Sequence, residues 1–127
     1  MKLFIFLMLF TSQVIANDHA HHDQKAPAAG KRVFTIVNYE YETTKQWLPG
    51  MIAVYEGDEV EINLINNTPS GVHGFAIKDF GVQISVLKGK TQKVNFTAGK
   101  PGIYPIHCHL HPAHIGGQLL ILEKPKS

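Results

Sequence analysis

The sequence holds one cysteine, Cys108, in 127 residues. A single thiol excludes an intramolecular disulfide, and in an oxidising compartment it needs protection by burial or by a metal. No run reaches the ~20 consecutive apolar residues of a membrane-spanning helix. Neither sign of charge dominates: 12 Lys and Arg stand against 10 Asp and Glu, a net charge of +2 with histidine neutral. That balance carries no electrostatic footprint for nucleic acid. No helical period of useful length is present either, and the chain is long enough for one domain with a core but not for two.

What the chain does have, beginning at its amino terminus, is a basic start at Lys2, the apolar run Leu3 to Phe10 and a small residue at Ala16. This pattern predicts a secretory signal over residues 1–16, hence a periplasmic or secreted protein with no stable membrane span after processing. Residues 17–31 are rich in His, Asp, Ala, Pro and Gly without apolar period. They read first as a solvated, His-rich flexible tail. A second reading follows if cleavage falls after Ala16, because a free amine with His19 at the third position, and His21 and His22 beyond it, forms a nitrogen chelate suited to copper(II).

From Arg32 the pattern becomes β, and residues 32–127 are the predicted folded domain. Val33 to Tyr39 is β-branched and aromatic; Glu59 to Leu64 alternates strictly, which turns Val60, Ile62 and Leu64 inward. Met51 to Tyr55, His73 to Ile77, Gly81 to Leu87 and Gln92 to Phe96 continue the series between turn-forming clusters, and Gln46 to Gly50 reads as a loop. Seven or eight short strands predict an all-β Greek-key sandwich or small barrel.

The chemistry concentrates between two predicted strands, in Tyr104-Pro-Ile-His-Cys-His-Leu-His-Pro-Ala-His114. If Tyr104 to Cys108 is extended, Tyr104, Ile106 and Cys108 share the inward face, and Cys108 closes that row. Pro112 and Gly116-Gly117 then force a turn. The pattern Cys108-x-x-His111-x-x-His114 brings three donors toward one point. A fourth, His73, opens a strand just after a loop. Thiolate and imidazole form a soft to borderline ligand set, suited to copper or zinc and poorly suited to magnesium or calcium. The plainer readings are a buried inert thiol for Cys108, a backbone-satisfied loop histidine for His73, and a solvent-facing ring for His114. His107 and His109 alternate away from Cys108 and read as surface or supporting residues.

These residues resemble the cupredoxin family of small copper proteins, in which a histidine opening a mid-chain strand joins Cys, His and an axial residue from the loop between the last two strands. The resemblance implies one copper ion held by His73, Cys108, His111 and, axially, His114. The short loop is similar to that of amicyanins, whose last position is methionine. Phe75 to Val82, Phe96-Thr-Ala, Gly102 and Cys108 to Pro112 resemble the nitrosocyanins, exported red-copper proteins, over about residues 57–122. Two departures stand out: nitrosocyanins carry glutamate at the position of His73, and Gly74 replaces the asparagine that follows the first ligand in blue-copper proteins. The tripeptide His107-Cys108-His109 also resembles multicopper oxidases, yet the remaining His-x-His pair outside this loop, His19 and His21, falls in the tail.

The resemblance implies electron transfer with a redox partner protein, an electron carrier rather than an enzyme as the first reading, with the question of enzyme activity left open. The alternatives are a small copper enzyme or ligand-binding red-copper protein acting on nitric oxide or nitrite, and a periplasmic copper carrier. A homo-oligomer, a trimer by resemblance, is a further expectation.

Overall fold

A computed structural model describes residues 29–69 and 71–125 of the chain. The signal at 1–16 and almost all of the tail, with His19, His21 and His22, lie outside the described residues. Nine strands follow in order: β1 (Lys31–Tyr41), β2 (Thr44–Leu48), β3 (Met51–Tyr55), β4 (Glu59–Asn66), β5 (Val72–Ile77), β6 (Val82–Leu87), β7 (Thr91–Thr97), β8 (Gly102–Ile106) and β9 (Gly117–Leu122). The one helical element among the described residues is a 3-10 turn, Lys78–Phe80.

Strands β2-β1-β4-β7 form one sheet, β3-β9-β8 a second, and β5-β6 a hairpin. Pairing is mixed: β1 runs parallel to β4 and β3 parallel to β9, while the other pairs are antiparallel. The strict alternation of β4 buries Val60, Ile62, Leu64 and Asn66. Val60, Ile62 and Leu64 pack with Ile36 of β1, Phe75 and Ile77 of β5, Val86 of β6, and Leu119 and Ile121 of β9 into one core. The result is the expected all-β sandwich, with its apolar faces turned inward because a strand has only one face to bury.

The structure corrects one part of the sequence reading: Gln46 to Leu48, expected to open a loop running to Gly50, belong to the strand β2, paired antiparallel to β1 with Asn38 opposite Trp47 and Glu40 opposite Lys45. The connection is the two residues Glu42-Thr43, and Glu42 takes a left-handed φ of 53°. Hairpin turns of this length usually announce themselves by Gly, Asn or Asp. Here none is present, so the signal was missing. Trp47 is buried on the inner face and anchors β2 to the core.

Candidate metal centre

Three features of the chain bring one end of the sandwich together. Strand β5 is tied to the end of β8 by a two-bond bridge: Ala76 donates its amide to His107 O at 2.9 Å, and His107 donates to Ala76 O at 3.1 Å. This places the start of β5, with His73, beside Cys108. Beyond Cys108 the loop folds in two successive turns: the His111 amide donates to Cys108 O at 3.3 Å and the His114 amide to His111 O at 3.0 Å. A donor residue stands at each three-residue step, so Cys108, His111 and His114 converge. The loop's far end is pinned to β2 through the Ile115 amide on Lys45 O at 3.2 Å. Re-entry into β9 needs glycine at 117, since a Cβ there would stand 2.5 Å from Gly50 O.

The four residues expected from the sequence thus meet in space. The ligand-type atoms of His73, Cys108, His111 and His114 all lie within 4.8 Å of one another. Cys108 Sγ stands 3.5 Å from His111 Nδ1. The rings of His73, His111 and His114 are 4.6 to 5.3 Å apart between centroids, with His111 and His114 stacked. His73 and Cys108 are buried, at 2% and 4% exposure. His114 is half-buried and His111 exposed.

This set suits a copper cofactor. Metal–ligand bonds of about 2.0–2.3 Å leave donor atoms roughly 3–4 Å apart on a shared ion, close to the spacing found here. His114 Nδ1 is buried without a hydrogen-bond partner, a cost that ligation would remove. Burial, then positive charge at His111, at His73 and at Lys45, holds the His114 imidazole below its ordinary pKa, with Glu40 opposing. A neutral imidazole is the form that binds metal. Lys45 Nζ and Glu40 Oε2 form a half-buried pair at 3.4 Å on the inner side of the β1–β2 hairpin.

Several supporting residues escaped the sequence reading. Trp47 donates Nε1–H to Gly74 O at 2.8 Å, and the Gly74 amide donates to Cys108 Sγ at 3.2 Å. Asn66, fully buried, donates to Val86 O at 2.8 Å and accepts from the Thr68 amide and hydroxyl at 3.1 and 2.7 Å, which shapes the loop leading to His73. Asn66-Asn-Thr-Pro is recognisable as an Asx-type turn; nothing local in the sequence points Trp47 at Gly74. Of the two histidines expected as surface or supporting residues, His107 is exposed and His109 is half-buried against Gly74.

A β-sandwich with a thiolate and three imidazoles gathered at one end defines a class, the mononuclear sites for soft and borderline metals. Within that class the chain belongs to the cupredoxins: the model of the cupredoxin-like domain matches residues 3–121. The copper-containing nitrite reductase of Neisseria meningitidis serogroup A is 36% identical over 102 residues, covering 71% of this chain and 26% of that protein. The chain therefore spans about a quarter of that relative's length. Among solved structures, the copper nitrite reductase of Nitrosomonas europaea superposes with a TM-score of 0.64 at 22% identity, over 76% of this chain and 45% of that one. The auracyanin of Roseiflexus castenholzii does so at 0.59 and 14%, over 71% and 96%. At these identities the structural likeness speaks for the fold.

Proposed function

We propose that the protein is an exported mononuclear copper protein that passes electrons, with His73, Cys108, His111 and His114 as its metal ligands. The observation that carries this reading is the convergence of those four donors within 4.8 Å at one end of a cupredoxin sandwich. Copper, when bound, supplies a one-electron change between Cu(I) and Cu(II). The chain's part is to hold its donors still: His73 sits on a strand, Cys108 at a strand end, and both are buried. Two turns and the tie to β2 restrain the loop between them, so little rearrangement accompanies each electron. His111 is the exposed donor and faces a redox partner protein. Export rests on the signal pattern at 1–16, and the folded domain expected over 32–127 begins in the structure one residue earlier, with β1 at Lys31. Among the described residues no helix is long and apolar enough to cross a membrane.

A second reading is favoured by the exposure of His111 and by the likeness to copper-containing nitrite reductases. In it an exchangeable position on the copper binds a small ligand such as nitrite or nitric oxide. The nitrosocyanin-like residues support the same reading, and a trimer with it, which sedimentation of the purified chain tests.

The deciding experiment loads the protein with one equivalent of Cu(II) and records visible and electron paramagnetic resonance spectra. An intense thiolate-to-copper band is expected, unmoved by nitrite or nitric oxide if the site is closed and shifted by them if it is open. A pale, nitrogen-only spectrum would remove Cys108 from the site and leave the amino-terminal histidines as the copper binders.

A further inference from the structure

The bridge between Ala76 and His107 sets an antiparallel register along β5 and the chain leaving β8. Carried two residues further, that register puts Gly74 directly opposite His109. The two are in contact: a Cβ at position 74 would lie 2.5 Å from His109 Nδ1 and 2.7 Å from its Cε1. The ring therefore occupies the space that any other residue at 74 would fill. The Gly74 backbone beneath it is held on both sides, its carbonyl by Trp47 and its amide on Cys108 Sγ. His109 itself is not one of the four clustered donors. Its Nδ1 is buried with no hydrogen-bond partner, so no bond at that atom explains why the ring lies there.

We propose that His109 is a positioning residue, whose ring packs across Gly74 and by its volume keeps the Gly74 amide on the Cys108 sulfur. The inference rests on the copper reading of Cys108. A glycine inside a strand lacks a side chain to cover its own peptide and is conformationally loose. An aromatic ring from the facing strand covers such a glycine and restores its order. The peptide ordered here is the one that aims an N–H dipole at the sulfur. Hydrogen bonding around a ligating cysteine sulfur tunes the metal's potential. A donor at the sulfur draws charge from the thiolate, weakens its donation and favours the reduced metal; its loss lowers the potential.

The test uses the full chain with His109→Ala, His109→Phe, Gly74→Ala and the double variant. In the copper-loaded protein, His109→Ala is expected to lower the reduction potential and move the thiolate-to-copper band. In the metal-free protein it is expected to speed alkylation of Cys108, which is now only 4% exposed. His109→Phe, which keeps a ring but no nitrogen, returns all three readouts toward the parent. Parent values in His109→Ala overturn the proposal, and so does a folded His109→Phe that behaves like the alanine variant. Urea unfolding of the metal-free set gives a second reading: Gly74→Ala lowers the midpoint less in the His109→Ala background than in the parent. The relief is partial because the His109 backbone nitrogen stays 3.0 Å from the new Cβ. Equal drops in both backgrounds overturn the packing argument. Should the parent show no thiolate-to-copper band, the copper reading fails on its own, while the urea comparison still decides the Gly74–His109 contact.

Discussion

The residue that most clearly sets the proposed centre apart is His114, which as a ligand would place a third imidazole where a thioether would be a weaker donor. Imidazole binds Cu(II) more strongly than a thioether does, so it favours the oxidised ion and a lower potential. His114→Met is expected to raise the reduction potential and to move the absorption toward blue, read by voltammetry and visible spectroscopy on the copper-loaded protein. Unchanged values for both would take His114 out of the coordination sphere. Burial first, then the charges around it, hold the half-buried ring below its ordinary pKa, which favours the neutral form that a metal takes.

Among the elements, the β1–β2 hairpin matters most for the site, although no residue of it is a proposed ligand. Strand β2 supplies the Trp47 bond to Gly74 and the Lys45 carbonyl that receives Ile115. The Trp47 ring meets Phe75 edge-on at 5.6 Å between centroids, which fixes its indole toward β5. Trp47→Phe keeps most of the apolar volume and removes the donor, leaving a buried carbonyl unpaired. The expected cost is about 1–3 kcal/mol in urea unfolding. The loss should be smaller in Trp47→Phe than in Trp47→Ala, where packing goes as well. Equal losses would mean that the hydrogen bond contributes nothing beyond the ring's volume.

At the scale of the whole molecule, one buried carboxylate joins the start of the domain to the far end of the sandwich. Asp58, fully buried, accepts from the Gly30 amide at 3.0 Å, the Tyr55 amide at 3.0 Å and Arg32 Nε at 2.9 Å. Burial alone would raise its pKa. The Arg32 hydrogen bond, the two amides and the Arg32 charge outweigh burial and hold it below the usual carboxylate value. A group lowered in this way adds stability that is fully present above its unfolded pKa, near 3.9, and lost as pH falls through the folded value. Asp58→Asn is therefore expected to cost roughly 1.5–3 kcal/mol at neutral pH. The gap to the parent should begin to narrow below about pH 4 and close as pH falls through the lower folded value; a gap that stayed constant into acid would show that Asp58 acts by shape alone.

Much of this was legible in the chain itself. Alternation in Glu59 to Leu64 and in Tyr104 to Cys108 determined which residues face the core, because a strand's period of two admits only two faces. The three-residue spacing of Cys108, His111 and His114 determined that they converge, since each interval closes as one turn. Tertiary structure alone decided the rest. That His73 reaches Cys108 depends on the Ala76–His107 bridge, a contact between residues 31 apart with no local signature. The strand at Thr44–Leu48 depends on Trp47 finding the core, which overrides a turn lacking every usual turn residue. The ring of His109 over Gly74 depends on the register between β5 and the chain beyond β8. Periodicity and spacing act within a few residues and can be read in sequence; register between distant strands is chosen by the burial of the whole core.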